Sequence, residues 1–248
     1  MSLNEQKNKY RALEDWFKTN QGSAASAAFV ACLSSYIEWF SGTNVLQLGA
    51  CHDNAWLESM PFRRSWVLTP CRGSEGSNLV ASPFALPFDR NSMDCILAPF
   101  TMEAMGLEKN PLDELDRVIR PMGHIVFWGI NPMSLWGLGL RTRTLDMFGQ
   151  APTSLMSAFV LKQALLKRGF RQCALDTFYY IPPFKQQAWI EHFEFLNEMG
   201  KMMVFFPAAF YCLIVQKYQE APLRIERPRK VSLPPQKIIL QAGVNWRR

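Results

Sequence analysis

"LPFDRNSMDCILAPFTMEAMGLEKNPLDELDRVIRPMGHIVFWG", residues 86–129, carries the most specific pattern in the chain. Two apolar runs within it, 95–98 and 125–128, read as buried strands. Between them lies the best-defined helix signal of the sequence. Asn110 can cap it, Pro111 suits its first position, and Asp113 complements its positive end. Leu112, Leu115 and Val118/Ile119 form one apolar face, and Pro121 closes the helix. Strand, helix and strand in succession are the unit of a parallel sheet.

Working outward, residues 45–48, 66–68 and 79–81 are further short apolar runs. Their near-continuous apolarity predicts strands covered on both faces. Upstream, Tyr10, Leu13, Trp16 and Phe17 repeat at helical spacing until 20–22 breaks the run, and a second helix is predicted over 23–40, closed by Gly42. Downstream, a helix over 154–168 stops at Gly169. "FRQCALDTFYY" (170–180) and "AFYCLIVQKY" (209–218) then read as strands flanking a helix over 187–199. The link "TPCRGSEGSN" (69–78) is too rich in Gly and Ser for a full crossover helix and predicts an irregular connection.

The 248 residues are 48% apolar and 19% charged, as in a folded globular protein. The net charge is +6, and residues 217–248 account for all of it, with eight Lys or Arg against two Asp or Glu. The body is therefore neutral, which argues for a catalytic or binding domain with a basic, proline-containing extended tail over 219–248. Six scattered cysteines without a CxxC pair, and three histidines, lack metal-ligand spacing and predict no metal. They suit small core residues in a reducing compartment. The N-terminus shows no signal pattern. The apolar stretches 23–37 and 202–215 both fall short of the roughly 20 residues a spanning helix needs. A cytoplasmic protein with no membrane span is the expectation.

The 86–129 stretch resembles the class I S-adenosylmethionine-dependent methyltransferases, particularly their small-molecule methyltransferase domain. Leu86-Pro87-Phe88, Asp94, Glu114 or Asp113, Arg117-Val118-Ile119, Pro121 and Gly123 stand at the family's spacing, and "VLQLG" (45–49) extends the likeness over roughly 40–216. "GINPMSLWGLG" (129–139) resembles a bacterial subgroup of these proteins. The resemblance implies an α/β, doubly wound, Rossmann-like seven-stranded sheet whose last strand is antiparallel. An N-terminal helical segment over 1–42 would pack on a methyltransferase-like domain over 43–218.

The same resemblance places S-adenosylmethionine across the carboxyl ends of the first four strands. Its first-loop carboxylate falls on Gln47 in "NVLQLGACHDNAW" (44–56), and its glycine turn on Gly49, Ala50 and Cys51. The ribose-binding acid falls on Thr69 or Pro70, and the adenine-binding acid on Ser82. Three usual acids are thus neutral here, leaving neutral hydrogen bonds in place of charge-assisted ones. Phe84 or Phe100 could stack on adenine or face the sulfonium. Glu103 and His52 are the candidate bases, each with an ordinary alternative as a solvated helix-start acid and a loop histidine. Trp128, Trp136 and Phe148 could wall an apolar acceptor pocket or simply fill the core, and "NPMSLWGLG" (131–139) could form a lid. The implied function is methyl transfer to a small or lipid-like acceptor. The alternative is a non-catalytic methyltransferase-like binding or regulatory protein, and a third reading has the tail bring nucleic acid to the site.

Overall fold

The apolar runs fold into one sheet. In the computed structural model, which describes residues 3–49, 51–105, 111–149, 153–200 and 207–218, the strands are β1 (Asn44–Leu48), β2 (Arg64–Thr69), β3 (Leu79–Val80), β4 (Met93–Pro99), β5 (Ile119–Ile130), β6 (Phe170–Phe178) and β7 (Phe210–Lys217). Their order across the sheet is β3-β2-β1-β4-β5-β7-β6. The first five strands run parallel, and β7 enters antiparallel between β5 and β6. This is the doubly wound seven-stranded architecture expected, with a topological switch between β1 and β4, where such sheets open a crevice.

The helices are α1 (Leu3–Phe17), α2 (Asn20–Ser34), α3 (Ala55–Glu58), α4 (Thr101–Met105), α5 (Leu112–Val118), α6 (Leu135–Arg141), α7 (Ala158–Leu166), α8 (Gln187–His192) and α9 (Phe195–Gly200). Alternation along the strands divides the core in two. Leu46, Ile96, Ile125, Phe127 and Leu213 meet Leu112, Leu115 and Val118 of α5 and Leu161 and Leu165 of α7. Val45, Leu97, Val126, Trp128 and Ile214 meet Tyr10, Leu13, Trp16 and Phe17 of α1 and Phe29 and Leu33 of α2.

Several boundaries differ from the sequence reading. Residues 20–22 are the first turn of α2, not a break. The Thr19 side chain caps the helix by accepting from the Gly22 amide at 3.2 Å. Gly22 is there for space, since a β carbon on it would stand 2.2 Å from the Trp16 carbonyl oxygen. The second helix ends at Ser34, not at residue 40, and a 3-10 turn at Ile37–Trp39 follows. The helix after 110 stops at Val118, where the chain turns extended at Ile119, so Pro121 lies in the irregular opening of β5. The 154–168 helix begins only at Ala158, capped by Ser157. The 187–199 helix is two short helices, α8 and α9. Residues 70–78 contain no helix, matching the expected irregular link.

The 86–129 pattern has a mechanical explanation. Arg117 donates to the carbonyls of Phe88 (2.8 Å) and Leu86 (2.9 Å) and pairs with Glu114, whose carboxylate accepts from the Leu86 amide at 2.8 Å. The motif ties the turn before β4 to α5. Asp94 does the same at the start of β1, accepting from the amides of Thr43 (2.7 Å) and Asn44 (2.8 Å) while pairing with Arg120.

Candidate functional site

The carboxyl ends of β1, β2 and β4 open toward α1, and the first loop is built around Gln47. This side chain is fully buried. Its Nε2 donates to the Gly49 carbonyl at 2.8 Å and to Asn54 Oδ1, and its Oε1 accepts from the Trp56 indole N–H at 2.7 Å. Asn54, held at φ +50°, also accepts from the Cys51 amide at 3.0 Å. All the polar capacity of Gln47 except one acceptor site is therefore engaged in shaping the loop. Gly49 follows at φ +93°. Ala50 lies outside the described residues.

Above this loop stands α1. A β carbon on Gly49 would lie 2.9 Å from Cε1 of Tyr10. The thiol of Cys71 donates to the Lys7 carbonyl at 3.2 Å, the buried Glu14 carboxylate accepts from the Glu75 amide at 3.0 Å, and Lys18 pairs with Glu75 at 2.9 Å. Further along, Trp16 and Phe17 pack against Phe100, and Phe17 reaches Trp128. The Trp128 ring is itself stacked on Phe29 at 4.1 Å. The helix lies along the crevice from the β2 loop to the end of β5.

The other predicted residues sit around the same crevice. Thr69 and Pro70 are buried at the end of β2, with the Thr69 hydroxyl accepting from the Cys71 amide at 3.3 Å. Ser82 accepts from the Phe84 amide at 3.3 Å in the turn after β3, and both are half-buried. Phe100, at φ +47°, is fully buried. Its amide donates to the Trp128 carbonyl at 2.7 Å. Glu103 is buried on α4, where its carboxylate accepts from the Ile130 amide at 2.9 Å, and burial raises its carboxyl to about 7. His52 is exposed at φ +54° in the first loop. His124 is half-buried on β5 with its ring edge-on to Phe40, and desolvation lowers its pKa; His192 is exposed on α8. Trp128 and Phe148 belong to the core, whereas Trp136, on α6, also lines a cavity. Among the described residues no group of three or more His, Cys, Asp or Glu could hold a metal, and no helix is long and apolar enough to cross a membrane.

No protein-family model and no curated protein matches the sequence. Solved structures do match. An S-adenosylmethionine-dependent methyltransferase from Thermotoga maritima superposes with a TM-score of 0.61 at 12% identity, over 87% of this chain and 100% of that one. One from Archaeoglobus fulgidus gives 0.55 at 19% identity over 76% and 93%. Geranyl diphosphate C-methyltransferase from Streptomyces coelicolor, solved with geranyl diphosphate and S-adenosyl-L-homocysteine, gives 0.52 at 10% identity over 76% and 78%. The fold is that of the class I S-adenosylmethionine-dependent methyltransferases.

The Tyr10 ring covers Gly49, the residue onto which the resemblance places the methionine part of the cofactor. With α1 in this position the space directly over Gly49 is taken. The covering helix nevertheless leaves polar atoms stranded. Among the described residues the buried indole N–H groups of Trp16 and Trp128 have no hydrogen-bond partner, and the Tyr10 hydroxyl lies against Thr101. Each such group costs about 1–3 kcal/mol when left unsatisfied. Sequence reasoning named residues of the first loop, the strand ends and the turn after β3 as candidate cofactor contacts. It missed α1, whose aromatic face reads as ordinary core.

Proposed function

We propose that this protein is an S-adenosylmethionine-dependent methyltransferase whose cofactor cleft is closed by its own N-terminal helix, acting on a small or lipid-like acceptor. The observation that carries the reading is the seat of Tyr10 on Gly49, together with the unpartnered indole N–H groups of Trp16 on α1 and of Trp128 beneath it. A cleft that never opened would leave those groups unsatisfied in every state. With α1 withdrawn, Gly49 would underlie the methionine part, Thr69 and Pro70 the ribose, Ser82 and Phe84 the adenine, and Phe100 the sulfonium. Gln47 would act by holding the loop. Should the acceptor need a base, Glu103, with a carboxyl near neutrality, is preferred to the exposed His52.

Opening reduces apparent affinity by the fraction of molecules in the open state. Together with three neutral residues where the family has acids, this places wild-type affinity between about 10 μM and about 1 mM. Calorimetric titration of the full chain with S-adenosylmethionine and S-adenosylhomocysteine tests it. Tyr10→Ala, which frees the space over Gly49, should tighten binding by about tenfold or more. A second reading, a non-catalytic methyltransferase-like binding protein, draws on the engagement of Gln47 and on the missing acids. Absence of heat from both folded proteins up to millimolar ligand would favour it.

A further inference from the structure

Away from the cofactor cleft, a cavity of about 290 Å³ lies between the start of α6, the chain after β6 and the α8–α9 pair. Leu135, Trp136, Ile181, Phe193, Leu196 and Ala209 line it. Several polar groups around it are already engaged. The Trp136 indole donates to the Ile181 carbonyl at 2.9 Å, Ser134 bonds Asn131 and Gly137 at 2.7 and 3.0 Å, and the Tyr180 amide donates to Asn197 at 2.8 Å. Apart from Ser134, Tyr179 and Tyr180 the lining is apolar, so an occupant is held mainly by apolar contact. The volume is about twice that of an apolar cavity that takes up benzene.

The rim of this cavity is also apolar. Met133, Leu135 and Leu138 are exposed at α6, and Trp189, Phe195 and Met199 at α8–α9. The two sets are connected to the wall: Leu135 lines the cavity, and the rings of Trp189 and Phe195 both contact Phe193, at 5.9 and 6.2 Å. Exposed large apolar groups gathered around an apolar opening mark an interaction surface. The charges sort with it. Arg141 and Arg143 stand exposed at the end of α6, while Glu191 and Glu194 face a separate cavity toward α2. Positive charge on the same helix as an exposed apolar surface complements an anionic lipid surface.

We propose that this face sits on an anionic bilayer and that the cavity takes the hydrocarbon chain of a lipid drawn from it. The inference rests on the preceding reading only for what is done with the lipid once bound. Binding of the fluorescent fatty acid cis-parinaric acid probes the cavity, and co-sedimentation with phosphatidylethanolamine–phosphatidylglycerol vesicles probes the rim. Wild type should bind the probe below about 100 μM, and Leu196→Trp, which fills the cavity, should weaken it about tenfold. The surface variant Leu138→Glu should keep probe affinity within about twofold yet lose most vesicle binding, and vesicles of neutral phosphatidylcholine alone should bind less. No probe binding by wild type, equal probe binding by the folded Leu196→Trp protein, or vesicle binding unchanged by Leu138→Glu would overturn the proposal. Cofactor calorimetry on the same samples separates the two: cofactor binding without lipid binding defeats only this inference, and lipid binding without cofactor binding defeats only the methyltransferase reading.

Discussion

The ring of Tyr10 covers Gly49, so closely that a β carbon on the glycine would stand 2.9 Å from the ring. Gly49 also holds φ +93°, where an L side chain is strained. Gly49→Ala should therefore destabilise the protein by about 2–3 kcal/mol, part from backbone strain and part from displacing the ring. Tyr10→Ala in the same chain relieves only the second part, so the two substitutions should be coupled. Urea unfolding of the four proteins reads the coupling. Additivity within about 0.3 kcal/mol would mean that the ring does not rest on the loop.

Gln47 needs its amide. Gln47→Glu keeps the acceptor for Trp56 but aims an oxygen at the Gly49 carbonyl and Asn54 Oδ1, where Nε2 now donates. A loss of about 2–4 kcal/mol near pH 7 is expected. The buried acid would have a raised folded-state pKa, so the lost stability should return as pH falls and the protonated acid donates. Melting curves from about pH 4 to about pH 8 test this, and a pH-independent deficit would contradict it. An acid at this position is thus expected to weaken the loop that carries Gly49.

Glu103 makes the native protein sensitive to pH. Burial raises its carboxyl from the ordinary value of 4.5 to about 7. Between those values the native state binds a proton that the unfolded chain has released, so stability falls as pH rises through the window. The full effect is on the order of 3 kcal/mol. Glu103→Gln keeps an acceptor for the Ile130 amide and removes the titration. The variant should gain stability over wild type progressively from about pH 5 to about pH 8. Parallel profiles would show that Glu103 does not carry the effect.

Arg117 joins the turn before β4 to α5 through two carbonyls and Glu114. A lysine cannot reproduce that fork, so Arg117→Lys should cost about 2 kcal/mol of stability. Cofactor calorimetry should be unchanged in the folded variant. A thermally silent substitution would mean that the motif has another purpose.

That pattern was readable in advance because its contacts are local or repeat at fixed spacing, and the apolar strands were readable because both faces of the sheet are covered. The helix ends were less so. Gly22 reads as a breaker, yet it lets α1 and α2 approach closely, and Pro121 follows the true helix end by three residues. The candidate cleft residues were chosen from the strand ends. The helix lying over them was not, because Tyr10 and Gly49 meet through tertiary packing that no local period encodes. Gln47 read as a weakened cofactor ligand, and its partners Asn54 and Trp56 appear only once the loop is folded.

Hydrogen exchange across residues 3–17, with and without saturating S-adenosylmethionine, tests most directly whether α1 and the cofactor compete for one cleft. Exchange in α1 should accelerate by about tenfold or more on binding, because the helix must leave Gly49 and its packing on Trp128. Cofactor binding with α1 equally or more strongly protected would contradict the account.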